Sequence, residues 1–406
     1  MYASPLEYLA RRYDNVIKYD DDGCVAGVFV KFYKCKSSDL AEGLPEHTHP
    51  AFIIDGVEQD YILLGKYKAG PLETGSALYS LPNIRPMNNG TSDSFLTRIR
   101  RAGTGITGMT CADYGFIKLL AQKNGWEPRG NTRYGMSHLD GTAWQAGASV
   151  SKNAVRGYDG WLYTCLKGHT TSAELKPDIA PEYWQRGKFV GGVSLDSGSA
   201  IEATYQAPYR TINGTGPKEW YLGGDTGSVS DIIGSSFETN WGYRIVDCEL
   251  QILENNNAAN PNADMSASSA AWRAILPNAG DDGYTLVTPG TEGALHWNWT
   301  GSAIQLDTRC DNFTAGSKAQ NFRTLTAHGA RLPYVPHIVK ELGLFPTGSG
   351  DNTPGNYYLN FSKGEYFPRR GGSYSSGSLA GLGYVASNYG RSISGANYGC
   401  RPRSLP

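Results

Sequence analysis

Apolar positions in the first seventy residues follow two rhythms. Leu6, Leu9, Ala10 and Tyr13 recur at helical spacing. Ser4 can cap such a helix, Pro5 suits its first turn, and Glu7 completes an S-x-x-E capping box. The pattern predicts a short helix over 4–13. Strand-like runs follow at Val25–Tyr33, at Ala51-Phe52-Ile53-Ile54 and at Tyr61–Tyr67. Asp55-Gly56, set between two apolar runs, reads as a hairpin turn because both residues tolerate positive φ. A second helix is predicted over 111–123: Thr110 caps it, Asp113 stands three residues on, Gly125 stops it, and Phe116, Leu119 and Leu120 form its apolar face. Short helices are expected near 265–276 and 334–343, stopped by Pro277 and Gly343. Elsewhere beyond residue 125 the chain breaks into short strands between Gly, Asn, Asp and Pro, among them Tyr243–Leu253, Tyr284–Val287 and Ala303–Leu306. There is no internal repeat and no heptad. The expected class is α+β, with few helices and many short strands.

Composition narrows the function. The chain has 406 residues, enough for two or three domains, and a net charge of −1. That balance removes the long-range attraction on which a non-specific nucleic-acid binder relies, so no nucleic-acid partner is expected. Charged residues are 18%, which with the frequent apolar runs argues against a disordered chain. No apolar run approaches the ~18 residues of a membrane span, and the start MYASPLEYLARRYD lacks the order of a secretory signal; no membrane insertion is expected. The seven cysteines are widely spaced, odd in number and without a CxxC, and read as free thiols.

Two segments stand apart. Residues 140–190 concentrate Trp144, Tyr158, Trp161, Tyr163 and Trp184, which predicts a small inserted β module. Residues 371–398 contain 7 Gly, 7 Ser, 4 Tyr, 3 Ala and 2 Asn, with Arg391 the only charge. A flexible tail would have that Gly/Ser content, but not the four tyrosines, nor Leu379, Leu382, Val385 and Ile393 as anchors. Tyrosine offers large contact area at low rotamer entropy, and Ser, Gly and Asn offer adaptable hydrogen bonding. The segment therefore reads as a binding surface on a rigid scaffold.

Arg370-Gly371-Gly372-Ser373-Tyr374, closed by Gly399-Cys400-Arg401, resembles the R-G-G-S-W … G-F-R ending of C-type-lectin-fold proteins. That group includes the formylglycine-generating (sulfatase-modifying-factor) type and the variable proteins of diversity-generating retroelements. His49-Pro50-Ala51-Phe52, Gly65-Lys66-Tyr67, Ser80-Leu81-Pro82 and Arg129-Gly130-Asn131-Thr132 with Tyr134-Gly135 occur in the order found in the variable-protein branch. Asp231-Ile232-Ile233-Gly234 with Glu238 is similar to a D-x-x-G-N-V-x-E-W signature, with Ser235 and Thr239 in place of the Asn and Trp.

The resemblance implies a C-type-lectin-like fold over residues 71–139 and 191–406, an N-terminal helix and β subdomain over 1–70, and a variable region at about 371–398. It implies a receptor- or ligand-binding protein whose C-terminal codons are diversified by error-prone copying of a template repeat. Ser373, Tyr374, Ser375, Ser376, Leu379, Ala386, Asn388, Tyr389, Ser392, Ser394, Ala396 and Tyr398 would face the ligand. Gly371, Gly372, Gly381, Arg391 and Arg401 would be fixed scaffold. The expected setting is a phage tail or, alternatively, a bacterial cell surface. The partner would be a host-cell surface receptor, protein or glycan, and association as a homo-oligomer or with virion and tail proteins is expected. Within the insertion, the run Gly157–Cys165, His169-Thr170, Pro177 and Trp184 is similar to small chitin-type carbohydrate-binding modules. That would make Trp161, Tyr163 and Trp184 sugar-stacking residues, against a reading in which Tyr163 and Trp184 are the core of a spacer.

Catalysis is not expected, nor any cofactor. A formylglycine-type oxidase needs a redox Cys pair in the C-terminal region, where only Cys400 lies. No phosphate loop, GxSxG or dinucleotide fingerprint occurs. Asp20-Asp21-Asp22-Gly23 lacks the spacing of a calcium loop. His47 and His49 would share a face if they lay on a strand, but no third ligand for a metal suggests itself. The alternatives are a sulfatase-modifying-factor-like enzyme and a non-variable structural virion protein.

Overall fold

The computed structural model describes residues 12–72, 75–193 and 210–406. All but the last two positions of the helix expected over 4–13 lie outside them. The protein is mostly β, with 32% strand against 14% helix, arranged in several sheets. Among the described residues no helix is long and apolar enough to cross a membrane.

One antiparallel sheet runs in the order Asn15–Tyr19, Val25–Tyr33, Tyr61–Gly65, Pro402–Ser404, Ile106–Gly108. Its central strands read as continuous apolar runs because both faces are covered. Val30, Ile62 and Leu64 enter one core, and Ala26, Phe29 and Leu63 enter the other. The N-terminal strands thus share a sheet with the last strand of the chain. Asp55 and Gly56 adopt φ of 51° and 76° and join Ile53–Ile54 to Val57–Glu58 as a tight hairpin. Tyr61–Gly65 pairs instead with Val25–Tyr33.

Three α-helices are described: α1 (Ser92–Arg100), α2 (Cys111–Lys123) and α3 (His337–Glu341). The α2 capping box forms as expected. Thr110 Oγ1 accepts from the Asp113 N–H at 3.1 Å, and Asp113 Oδ2 accepts from the Thr110 N–H at 2.9 Å. Its burial is wider than the expected face, with Cys111 to Leu119 all buried, because it shares one core with Ile338 and Val339 of α3, with Val30, Ile62 and Leu64 of the five-stranded sheet and with Tyr243, Ile245, Leu250 and Ile252. No helix forms over 265–276. Arg273–Pro277 is a strand paired with Tyr284–Val287, and Pro277 ends that strand. Tyr243–Leu253 is a hairpin rather than one strand. Tyr243–Val246 pairs with Glu249–Ile252, and Asp247 and Cys248 turn at φ of 48° and 68°. Neither turn residue is glycine, so composition did not mark the break. Tyr284–Val287 lies where expected, and the strand expected at Ala303–Leu306 spans Ile304–Asp307.

A six-stranded sheet carries the C-terminal segment: Thr314–Asn321, Asn356–Ser362, Gly381–Ser387, Arg369–Gly371, Phe237–Thr239, Tyr398–Cys400. Residues 140–190 contribute a separate three-stranded sheet of Val155–Tyr158, Trp161–Cys165 and Trp184–Phe189. It is built over a core of Trp144, Val150, Tyr163, Cys165, Ala180 and Trp184.

Candidate ligand-binding face

The segment 371–398 leaves the sheet twice. Arg369–Gly371 and Gly381–Ser387 are antiparallel neighbours joined by a first loop, 372–380. From Ser387 a second loop, 388–397, crosses the sheet and rejoins it at Tyr398, parallel to Phe237–Thr239. Both ends of the segment are therefore hydrogen-bonded strand, not tail. The second loop is held along its length. The Ser92 N–H donates to the Arg391 carbonyl at 3.3 Å, the Asn89 N–H to the Gly395 carbonyl at 3.0 Å, and Asn88 Nδ2 to the Ala396 carbonyl at 3.1 Å.

Under this loop runs a row of aromatic rings. Tyr358 lies 5.4 Å from Tyr384, Tyr384 stacks on Phe237 at 5.3 Å, Phe237 meets Tyr398 at 5.9 Å, and Tyr398 meets Tyr389 at 6.0 Å. The Arg369 guanidinium sits 4.0 Å from the Tyr398 ring centroid, a cation–π contact strengthened by its burial. The row runs from Tyr358 and Tyr384 on the sheet to Tyr389 in the second loop.

The expected ligand-facing residues divide by burial. Ser375, Leu379, Tyr389, Ser392, Ser394 and Ala396 are exposed, and Ser376 and Asn388 are half-buried. Ser373, Tyr374, Ala386 and Tyr398 are buried and do not present themselves to a ligand. Ser373 closes the first loop through its N–H to Ser376 Oγ at 2.9 Å. The Tyr374 ring packs 5.5 Å from Tyr134, and its backbone bonds Ser235 and Tyr134. Ala386 lies mid-strand between Arg369 and Tyr358. Tyr398 begins a sheet strand beneath Tyr389. Ile393, expected as an anchor of the segment, stands 41% exposed in the second loop. Sequence reasoning passed over Tyr358 and Phe237, whose row with Tyr384 exists only once the strands pair. A cavity of about 340 Å³ opens beside the first loop, lined by Trp126, Arg129, His138, Pro354 and Leu382 among others.

The expected scaffold positions are structural. Gly371 and Gly372 both adopt positive φ, +82° and +85°, and a Cβ on Gly371 would lie 2.5 Å from the Ile232 carbonyl; only glycine fits there. Gly381 pairs with Gly371. Arg391 ties the second loop down, with Glu365 at 3.0 Å and Asp93 at 2.6 Å. Arg401 is fully buried. Its guanidinium donates to Glu238 at 2.6 and 3.0 Å and to the carbonyls of Gly65, Lys66 and Ser230. Lys68 Nζ completes the network 2.8 Å from Glu238. Burial alone pushes the Glu238 carboxyl up, but Arg401 and Lys68 hold it below its ordinary value.

Asp231, beside this network, behaves oppositely. Its Oδ1 has no hydrogen-bond partner, and burial pushes it from 3.8 up to about 6 against the pull of Lys68 and Arg401. A folded-state value above the unfolded one means that the folded chain holds the proton longer. Asp231 therefore costs nothing below pH 3.8 and withdraws stability as pH rises through 6, by about 3 kcal/mol in total. Asp231→Asn should abolish that loss. In denaturant titrations from pH 4 to 7, the stability difference between variant and wild type should grow in the variant's favour. A pH-independent difference would refute the assignment.

In the inserted module, Tyr163 and Trp184 are not platforms for a sugar. They are 3% and 2% exposed, and Trp184 Nε1 donates to the Leu175 carbonyl at 2.9 Å. Trp161 is half-buried, with Phe189 at 5.0 Å and the Arg186 guanidinium 4.6 Å over its ring. Arginine thus already occupies the position a stacked sugar would take on that face. All seven cysteines are free, and burial pushes the Cys400 thiol far up, which leaves it protonated.

The two histidines of the H-x-H part company, since the loop carrying them is not a strand. His49 turns inward. Its Nδ1 accepts from the Ala51 N–H at 3.2 Å, and its ring packs against Phe116. His47 turns toward α3, where Nε2 lies 2.6 Å from Glu341 Oε1.

No known family model matches the chain, and no curated protein is similar enough to be matched to it.

Proposed function

We propose that this chain is a ligand-binding protein of C-type-lectin-like fold, not an enzyme. Its binding face is the two loops 372–380 and 388–397, with the aromatic row under the second. The observation that carries this reading is the way the Gly/Ser/Tyr-rich segment is held. Its ends and centre are sheet strands, flanked by buried Arg369 and Arg401, and Arg391 ties the second loop down, while Ser375, Leu379, Tyr389, Ser392, Ile393, Ser394 and Ala396 stand exposed on the loops. Such a design tolerates change at the exposed positions without cost to the fold, because surface substitutions away from caps and buried networks shift stability by only ~0.5 kcal/mol. It suits a diversified surface that recognises a host-cell receptor from a phage tail or a bacterial surface. Aromatic anchors supply contact area there, and hydroxyls set orientation.

The test is the DNA at the 3′ end of the gene in independent isolates, together with its downstream flank. A near-copy of codons ~370–400 should be found, with isolates differing at the codons for 375, 376, 379, 388, 389, 392, 394 and 396. Codons for Gly371, Gly372, Gly381 and Arg401 should stay constant. A 3′ end identical in all isolates, with no copy beyond it, would overturn diversification and leave a fixed face.

A further inference from the structure

The third ligand that sequence reasoning could not find for His47 is supplied twice over by α3. His337 and Glu341 stand four residues apart and so share one face of that helix, the face that meets His47. His337 Nδ1 lies 2.9 Å from Glu341 Oε2, His47 Nε2 lies 2.6 Å from Oε1, and the two imidazoles are 5.1 Å apart, edge to face. One ligand atom from each of the three residues falls within 4.8 Å of the others.

We propose that His47, His337 and Glu341 form a binding site for a divalent transition-metal ion of the zinc class, with a fourth coordination position open to solvent. Two imidazoles and a carboxylate are a zinc donor set, and zinc bonds of 2.0–2.2 Å place tetrahedral donors about 3.3 Å apart. The three donor atoms, all within 4.8 Å of one another, lie within about 1.5 Å of that spacing.

The charge pattern favours a cation. Buried Glu238, Asp113, Asp307 and Asp351 are each paired with a lysine or arginine. The carboxylate of Glu341, also fully buried, is met by His47, His337 and the Ser37 hydroxyl. A counter-charge stabilises a buried carboxylate, and imidazoles supply one only while protonated. A bound metal ion supplies it permanently and displaces the imidazole protons.

Access and support are both present. The His47 side chain is 43% exposed, whereas those of His337 and Glu341 are 13% and 0%. An ion therefore meets the ligands from the His47 side and keeps water there. Outer contacts hold the ligands in place, as metal sites require. Ser37 donates to the Glu341 carboxylate, His49 Nε2 lies 3.2 Å from the Glu341 carbonyl, and Tyr284 packs edge-on against His337 at 5.1 Å. A bound ion would pin the loop carrying His47 to α3.

Chelator-stripped full-length protein, titrated with zinc chloride and passed through a desalting column, should retain one zinc per chain by elemental analysis. Its thermal midpoint should rise by a few degrees. His47→Gln, which keeps a hydrogen-bond donor for Glu341, should lower zinc affinity at least tenfold and remove the thermal shift. Cobalt substituted for zinc should give ligand-field bands without a thiolate charge-transfer band. Zinc retention below one per chain in the wild type would overturn the proposal. So would equal affinity in His47→Gln, or a thiolate band that places the metal on the free cysteines. If His47→Gln does not fold, His337→Gln provides the same comparison.

Discussion

Arg401→Met is expected to destabilise the protein by about 3–5 kcal/mol, the usual consequence of removing one partner from a buried ion network. Arg401, Glu238 and Lys68 are at most 1% exposed, and Glu238 accepts from both cations. Without the guanidinium, Glu238 is left with Lys68 alone, and the carbonyls of Gly65, Lys66 and Ser230 each lose the N–H that Arg401 gives them, Lys66 keeping only the Ser230 N–H. Those carbonyls belong to the turn that leaves the five-stranded sheet and to the loop that carries Asp231. The damage should therefore reach the last strand and, through Cys400 and Tyr398, the edge of the six-stranded sheet. Urea titration checks the magnitude. A triple variant that replaces Arg401, Glu238 and Lys68 with apolar residues of similar volume should recover much of the loss, since no charge is then left unpaired. A loss below 1 kcal/mol for Arg401→Met would show that the network carries little of the fold's stability.

Trp184→Ala should unfold the inserted module while the rest of the chain stays folded. Emptying a buried tryptophan site costs about 3–5 kcal/mol, and here the whole core is six residues, with no second core to absorb the cavity. The ring also holds the Leu175 carbonyl through Nε1. Hydrogen exchange should show protection lost in Val155–Tyr158, Trp161–Cys165 and Trp184–Phe189, and retained in the strands of the five- and six-stranded sheets. Trp161→Ala, at a half-buried position, should leave that protection in place. Protection retained in Trp184→Ala would return Trp184 to the set of residues free to meet a ligand.

Signals that act within a few residues were legible from sequence. The Thr110–Asp113 capping box starts α2 as expected, because its side chains bond backbone groups one turn away, and Asp55-Gly56 makes its hairpin, because both residues adopt positive φ. Gly343, at φ +62°, likewise ends the helix region read at 334–343. Where tertiary contacts set the conformation, local reading failed. Residues 273–277 carry helix-compatible Ala, Ile and Leu but lie in a sheet because Tyr284–Val287 pairs with them. The Asp247-Cys248 turn has no glycine to mark it and is held by the Gly364 carbonyl and N–H.

The Gly/Ser/Tyr-rich segment 371–398 shows the same division. Its Gly/Ser/Tyr alphabet marked it as folded and unusual without any structure. Which tyrosines would point outward was not written there. Tyr389 and Tyr398 are alike in sequence context, yet one is 43% exposed and the other lies beneath it, against Arg369. Sequence by itself determined the strand-rich character, the caps and turns, and the place of the unusual segment, since each follows from residue types over a short span. Only the tertiary structure decided the aromatic row, the partners of the buried charges and the meeting of His47 with His337 and Glu341. Those depend on strand order and helix crossing, which bring together residues as far apart as 47 and 341, and no local pattern encodes that distance.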